Sequence, residues 1–224
     1  MTLHVDITMR FSGARVQRAE FSATPGSVLA ITGPNGSGKT SLLRTILGLQ
    51  APAAGTVTVG EFSRAPRDTP AVIGAAQAFG YAPQRVALFP ERSVRDNIAF
   101  GARATGMHKQ RALACADTWA ARFGITHLLT SQAARLSGGE RTRVNLARMF
   151  AGAPRRVAID EPLAHVNPSA RATLVACIQD AIASLDGPHL IVTHDVASLA
   201  PLTPKILEFP PPALDTGDHT RDVH

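Results

Sequence analysis

Long apolar runs, a secretory start and internal repeats are all missing from this chain of 224 residues. No stretch approaches the roughly 18 uninterrupted apolar residues of a membrane-spanning helix, and the N-terminus MTLHVDITMRF lacks the basic start and apolar block of a signal peptide. We therefore expect a cytoplasmic chain that neither spans a membrane nor is exported. Its hydrophobic content of 45 % can supply the core of one large α/β domain, or of one domain that carries an insert.

Cysteine is scarce, which bears on disulfides and metal sites. The two cysteines, Cys115 and Cys177, each lie in an apolar, alanine-rich segment without C-x-x-C or histidine spacing. This context favours small buried hydrophobic side chains over a disulfide or a metal ligand.

Aromatic side chains interleaved with basic ones, which are typical of a nucleic-acid surface, are also missing. The formal net charge of +6 is compatible with nucleic acid, an anionic membrane surface or bound phosphates. Because the arginines are mostly scattered, we predict a solvated or protein-facing basic surface and argue against a nucleic-acid partner. The one dense patch consists of Arg135, Arg141, Arg143, Arg148, Arg155 and Arg156.

Hydrophobic periodicity predicts alternating strands and helices. Residues 3–11 alternate strictly, as in a strand with one buried face, whereas 28–31 is a short apolar run typical of a central strand. Residues 91–135 have a helical texture that opens with a capping box at Ser93 and Asp96, which we interpret as a helical insert. The polar tail at 211–224 is expected to be flexible. Further strands are predicted at 56–59, 79–82, 157–159, 190–192 and 206–209, and further helices at 42–47, 144–150 and 168 to about 185.

A glycine-rich loop follows the apolar run 28–31. The segment GPNGSGKT at 33–40 fits G-x-x-x-x-G-K-[ST] and lies between a buried strand and a helix, where a phosphate-binding loop must lie. Its glycines let backbone N–H groups point at phosphate oxygens, Lys39 would reach the β and γ phosphates, and Thr40 would ligate Mg²⁺. An ordinary glycine-rich turn is the alternative, but the context favours a nucleoside triphosphate site. The predicted nucleotide-binding residues here are Gly33, Pro34, Asn35, Gly36, Ser37, Gly38, Lys39, Thr40 and Ser41.

Two adjacent carboxylates follow the predicted strand 157–159. Asp160 occupies the place from which a parallel strand delivers a second metal-side ligand to a phosphate-binding loop. The side chain of Glu161 points away from that of Asp160 and can address the water in line with the γ phosphate. A pair of exposed turn carboxylates that cap a helix is the alternative.

A second anion-binding turn, LSGGE, opens a predicted helix. It combines a serine hydroxyl, two glycines that bare backbone N–H groups, and a helix N-terminus. Since the chain has one phosphate-binding loop, we infer that this turn serves a nucleotide held by another copy. Its residues are Leu136, Ser137, Gly138, Gly139 and Glu140.

From about residue 3 to 209, the sequence resembles the nucleotide-binding subunits of ATP-binding cassette (ABC) transporters. The resemblance implies an α/β fold: a P-loop NTPase (RecA-like) core with a mixed, largely parallel sheet, an N-terminal antiparallel β part and a helical subdomain insert. It also implies a single domain at 1–210, with the core and β part at 1–90 and 141–210 and the helical subdomain at about 91–140. The resemblance rests on five elements that occur in this order: GPNGSGKT at 33–40, Gln84 in YAPQ, LSGGE at 136–140, IDEP at 159–162 and His194 in VTHD.

The resemblance implies further roles and partners. Two such domains sandwich two ATP molecules, each lying between one subunit's P-loop and the other's LSGGE. Phe11 would stack on adenine, Gln84 would sense Mg²⁺ and water beside a transmembrane partner, and His194 would contact the γ phosphate. By themselves, Phe11 could be a core residue, Gln84 a surface amide and His194 a turn cap. The expected cofactors are ATP and Mg²⁺, and the expected catalytic residues are Glu161, His194, Gln84 and Lys39.

The segment LFPERSVRDNIAFG at 88–101 is similar to importer ATPases, especially those of molybdate, sulfate, sugar and polyamine systems. This implies an ATPase that works as a homodimer or pseudo-dimer with a second ABC subunit. It also implies a transmembrane permease, a solute-binding protein, and a peripheral position on the inner face of the cell membrane. A nucleotide-switched module that acts on nucleic acid or on a protein is the alternative.

One position departs from the family's usual pattern. After the carboxylate pair, the family usually has Leu-Asp before the next helix, and this chain has Val166-Asn167. That aspartate normally reaches across the dimer interface. Asn167 should serve equally well as a helix N-cap ahead of Pro168, so we expect the fold to be unaffected and a negative charge at the interface to be lost.

Overall fold

The computed structural model describes residues 1–12, 15–60, 62–64 and 79–214. Its helices and strands form two five-stranded sheets and a helical layer. No helix within these ranges is both long and apolar enough to cross a membrane. The strands are β1 (Leu3–Phe11), β2 (Arg15–Ala23), β3 (Val28–Thr32), β4 (Ala54–Val59), β5 (Phe62–Arg64), β6 (Phe79–Ala82), β7 (Arg156–Asp160), β8 (His189–Val192), β9 (Lys205–Glu208) and β10 (Ala213–Leu214). The α-helices are α1 (Lys39–Ile46), α2 (Val94–Ala104), α3 (Lys109–Arg122), α4 (Gly138–Ala151) and α5 (Pro168–Ile182).

The first sheet is parallel and carries the candidate site at one edge. Its order is β6-β7-β8-β3-β9, and every neighbouring pair runs parallel. All five residues of β7 and all four of β8 are buried, as expected for strands covered on both faces. Because the carboxyl ends of β3 and β7 meet at one edge, the loop after β3 lies beside the end of β7.

The second sheet is antiparallel, with the order β10-β2-β1-β4-β5. The sequence predicted β1 and β4 but missed β2, whose alternation is obscured by the inward-facing polar residue Gln17. It also missed β10: Ala213 and Leu214, assigned to a flexible tail, pair with Val16 and Arg15. The rest of that predicted tail, 215–224, lies outside the described residues.

The helical layer packs α2, α3 and α4 around an aromatic cluster. The rings of Trp119 and Phe123 lie 5.1 and 5.8 Å, centroid to centroid, from that of Phe150. A Cβ on Gly101 of α2 would lie 1.9 Å from the backbone oxygen of Arg148 on α4, so the close approach of these helices requires glycine. Half of the predicted capping box of α2 forms: the Ser93 hydroxyl accepts the N–H of Asp96 at 3.0 Å.

A buried histidine gives the fold an acid-sensitive point. His189 at the start of β8 is 1 % exposed, and burial lowers its pKa from 6.5 to about 4. Between these pH values, the unfolded chain binds a proton that the folded chain excludes. The free energy of unfolding should therefore fall by up to about 3 kcal/mol as the pH drops from 6.5 to 4. Urea unfolding at several pH values should show a smaller fall for His189→Leu, and the same fall as the unsubstituted protein for His4→Leu, which removes an exposed histidine.

Candidate functional site

The glycine-rich loop lies between β3 and α1, as predicted. Gly36 and Gly38 have φ values of +78° and +92°, which favour glycine. The Lys39 ammonium group donates to the backbone oxygens of Gly33 at 2.8 Å and Pro34 at 2.9 Å. The N-cap residue of α1 is Gly38, which supplies no side-chain cap, so the first N–H groups of this helix are available to an anion.

Phe11 lies at the end of β1, against this loop. A Cβ on Gly38 would lie 2.6 Å from Cζ of Phe11, so the ring occupies the space that any other residue at 38 would need. Phe11 itself is half-buried. The structure thus places the predicted aromatic residue beside the phosphate-binding loop.

Asp160 ends β7 and contacts the start of α1. Thr40 Oγ1 donates to Asp160 Oδ2 at 2.8 Å, and Asp160 is 2 % exposed. Among the described residues, Oδ1 of Asp160 is buried and has no hydrogen-bond partner. Burial raises the pKa of the Asp160 carboxyl, while the Thr40 hydroxyl and the charge of Lys39 lower it. A buried carboxylate with a vacant oxygen is thereby held next to the loop.

Glu161 and Asp160 contact different partners. Its φ of +51° is left-handed, which costs a residue with a Cβ about 1 kcal/mol or more, and its N–H donates to Val192 O at 2.9 Å. Its Oε2 lies 2.8 Å from His194 Nδ1. The side chain of Glu161 is only 10 % exposed, whereas that of His194 is 57 % exposed. The two carboxylates thus contact different groups: Asp160 contacts the loop, and Glu161 contacts His194, a contact that the sequence did not predict.

The loop that carries His194 is anchored by residues that the sequence analysis did not use. Asp195 Oδ2 accepts from Arg171 Nη1 of α5 at 2.7 Å and from Ser198 Oγ at 2.6 Å. Hydrogen bonds from Ser198 and the nearby Arg171 lower the pKa of Asp195. The backbone N–H of Asp195 donates to Thr193 Oγ1 at 3.0 Å. This network ties His194 to α5. In the sequence, Asp195 directly after His194 in VTHD was the residue that could have indicated this anchor.

A cavity of about 320 Å³ brings most of the predicted site together. Of the loop residues predicted to bind nucleotide, Gly33, Pro34 and Ser37 are absent from its wall. His194 is also absent from the wall and reaches the cavity through Glu161. The lining residues are Phe11, Asn35, Gly36, Gly38, Lys39, Thr40, Ser41, Gln84, Asp160, Glu161 and Val192.

The LSGGE segment lies outside this cavity, and none of its residues lines the wall. Ser137 is the N-cap of α4 and forms a reciprocal capping box with Glu140. Gly138 lines a second cavity of about 500 Å³, together with His165 and Gln84. Gln84 therefore lies between the two cavities. His165, which the sequence analysis did not single out, lies directly against Gly138.

Asn167 is the N-cap residue of α5, but its side chain does not cap the helix. Pro168 is the first helical residue, as predicted. The side chain of Asn167 makes no capping hydrogen bond, so the predicted capping role is wrong. Its exposed amide is free to contact a partner instead.

Two predictions about surface and core also need correction. Several arginines of the predicted basic surface donate to backbone oxygens of this chain: Arg141 to Ala133 and Val86, Arg143 to Phe123, and Arg148 to Ala87. They bridge segments of the helical layer, because a guanidinium group offers several donors at once. Cys115 and Cys177 are unpaired and half-buried rather than fully buried.

Comparison with known proteins identifies the family. The family model described as ABC transporter matches residues 16–164. The Fe(3+) ions import ATP-binding protein FbpC of Streptomyces coelicolor is 35 % identical over 201 residues, which cover 89 % of this chain and 56 % of that protein. The L-cystine transport system ATP-binding protein TcyN of Escherichia coli is 35 % identical over 199 residues, which cover 86 % of this chain and 79 % of that protein. This chain spans about half the length of several curated relatives.

Solved structures show the same fold. The dimeric structure of MJ0796, a bacterial ABC transporter cassette, superposes with a TM-score of 0.80 at 19 % identity, over 94 % of each chain. This agreement confirms the predicted P-loop NTPase core with its antiparallel and parallel sheets. Together with the family match over 16–164 and relatives of 35 % identity, it shows that the chain belongs to the ABC transporter family.

Proposed function

We propose that this chain binds and hydrolyses ATP and thereby powers transport through a transmembrane partner. One observation carries the proposal: a single cavity is lined by the P-loop, Gln84 and both carboxylates, with His194 bonded to Glu161. An ATP-dependent pump needs a phosphate cradle, a metal-side ligand and a water activator within a few ångströms of one another. The import ATP-binding proteins among the relatives support the same role.

The P-loop residues would hold the triphosphate. Lys39 now bonds two carbonyls, which compete weakly with a polyanion, so its ammonium group can turn to the β and γ phosphates. Thr40 and Asp160 offer hard oxygen donors suited to Mg²⁺, which keeps most of its waters and takes phosphate oxygens as further ligands. The vacant Oδ1 of Asp160 supports this assignment. Bound Mg²⁺ would neutralise charge on the phosphates. Phe11 presents a ring on which adenine can stack.

Glu161 is assigned as the group that activates water. Glu161 lines the cavity, and its carboxylate is held by His194 at 2.8 Å. The bond to Nδ1 leaves Nε2 of His194 able to contact the γ phosphate. Gln84, which also lines the cavity, would respond to the metal and water through its amide.

We assign a second ABC subunit as the dimer partner. Ser137 and Gly138 are exposed, and they lie outside the cavity of their own chain. A second subunit could present its P-loop to these donors, which would complete both sites. The dimeric state named for MJ0796 supports this arrangement.

The permease is assigned to a groove of about 580 Å³ between the parallel sheet and the helical layer. Phe89 and Phe100 line it, are 36 % and 44 % exposed, and pack edge to face with their centroids 4.8 Å apart. Exposed aromatic pairs are typical of protein interfaces. A permease in this groove would place the chain on the inner face of the membrane, with a solute-binding protein as a further partner of the system.

Steady-state hydrolysis tests the proposal. We expect the purified chain to release phosphate from ATP only with Mg²⁺, and to dimerise with ATP in light-scattering measurements. Reconstitution with its membrane partner should raise turnover. A chain that binds ATP but stays inactive even with that partner would instead support a nucleotide-switched module.

Restoring a carboxylate at position 167 should change communication between the two sites. Because Asn167 is exposed and free of capping bonds, Asn167→Asp adds a charge without disturbing α5. We expect the basal hydrolysis rate to change by roughly two- to five-fold, or the Hill coefficient to shift below its two-site ceiling, with an unchanged melting temperature. Asn167→Ser serves as the uncharged control. Identical kinetics for Asn167→Asp and the unsubstituted protein would remove Asn167 from the coupling between sites.

A further inference from the structure

The carboxylate of Glu140 occupies the hydrogen-bond donors of Ser137. Glu140 Oε2 accepts from the backbone N–H of Ser137 at 2.8 Å and from its hydroxyl at 2.7 Å. In return, Ser137 Oγ accepts the backbone N–H of Glu140 at a longer 3.4 Å. The Glu140 carboxylate thus occupies the turn that, in the proposed function, binds the nucleotide of the partner subunit.

Two anions would compete for this turn. The Ser137 hydroxyl has one proton, so it can donate to the carboxylate or to a phosphate, but not to both. The hydrogen bonds from Ser137 lower the pKa of Glu140, so the carboxylate stays ionised at neutral pH. A phosphate that approaches Ser137 therefore also meets a like charge.

We propose that Glu140 is a positioning residue that opposes closure of the ATP-bound dimer. In the separate subunit it holds the Ser137 hydroxyl and N–H, and in the closed dimer the partner's nucleotide must displace it from the hydroxyl. This inference rests on the proposed function. It differs from the sequence-based assignment of Glu140, because here Glu140 restrains the binding of the partner's ATP rather than contributing to it.

Capping alone does not require a charged group at 140. A glutamine at the third helical position can also accept the N–H of the N-cap residue, so Glu140→Gln keeps the capping box and removes the charge. Glu140→Ala removes both. The two variants therefore separate the contribution of the helix cap from that of the negative charge that opposes a phosphate.

The test is an ATP titration of dimer formation, with Glu161→Gln present throughout so that hydrolysis does not deplete the dimer. We expect Glu140→Gln to lower the ATP concentration for half-maximal dimerisation by roughly 3- to 10-fold, and high salt to shrink the difference. Its melting temperature should stay close to that of the parent, whereas Glu140→Ala should melt lower because it loses the cap.

Asp96→Asn is the matched control. Asp96 accepts from the Ser93 hydroxyl at 2.6 Å, so a carboxylate also holds the N-cap serine hydroxyl at the start of α2, outside LSGGE. This variant should leave the ATP concentration for half-maximal dimerisation unchanged. If the parent dimerises and Glu140→Gln needs the same or more ATP, the inference fails while the proposed function stands. If parent and variant alike bind no ATP, both fail.

Discussion

Replacing Glu161 with glutamine should lower the rate of ATP hydrolysis by about 10²- to 10⁴-fold, the usual contribution of a general base. Glutamine keeps the length of the side chain and its capacity to bond His194, now 2.8 Å from Oε2. Since the amide cannot take a proton from water, ATP binding should persist while turnover is lost. The ATP-bound dimer should then accumulate.

Phosphate release at saturating ATP, with light scattering in parallel, measures both effects. Glu20→Gln is a suitable control because its side chain is 67 % exposed, on β2. It should hydrolyse ATP at the unsubstituted rate. Residual activity of Glu161→Gln within a few-fold of the unsubstituted rate would show that another group activates the water.

Replacing Asp160 with asparagine should have opposite effects on stability and on activity. Burial raises the pKa of this carboxyl, so above that pKa the ionised form destabilises the nucleotide-free fold. An amide at this position avoids that cost, and we expect the free energy of unfolding at pH 7 to rise. Hydrolysis should fall by at least about 100-fold, because the metal-side charge is gone.

Thermal melting with ATP, with and without Mg²⁺, separates the effect of Asp160 on the stability of the fold from its role in binding the metal. The unsubstituted protein should gain more stability from ATP with Mg²⁺ than from ATP alone, and Asp160→Asn should lose that difference. Asp186→Asn serves as the control, since it removes a carboxylate that is absent from the cavity wall. A Mg²⁺ effect that persists in Asp160→Asn would place the metal elsewhere.

Several features of the site follow from short stretches of sequence. The loop after β3, the carboxylate at the end of β7 and Pro168 at the start of α5 lie where the patterns predicted. Each depends on backbone conformation or on periodicity within about ten residues, so the local sequence suffices. The pairing of Thr40 with Asp160 could also be expected, because parallel strands align their carboxyl ends.

Features that depend on distant segments were missed. Gln17 is buried and donates from its amide to the backbone oxygen of Pro210, a residue 193 positions away. Arg171 holds Asp195 beside His194, and His165 lies against Gly138. Sequence spacing carries no information on such contacts, because they arise only once the sheets and helices have packed.

By itself, therefore, the sequence determined the strands of the parallel sheet, the phosphate-binding loop and the carboxylate pair, since these follow from turn chemistry and hydrophobic period. The tertiary structure decided which side-chain donors and acceptors are already bonded within the chain. It assigned Glu140 to the Ser137 hydroxyl, left Asn167 without a side-chain capping bond, and directed three arginines of the basic patch onto backbone oxygens. A side chain's hydrogen bonds are chosen among all the acceptors that packing brings within reach, and that set exists only in the folded chain.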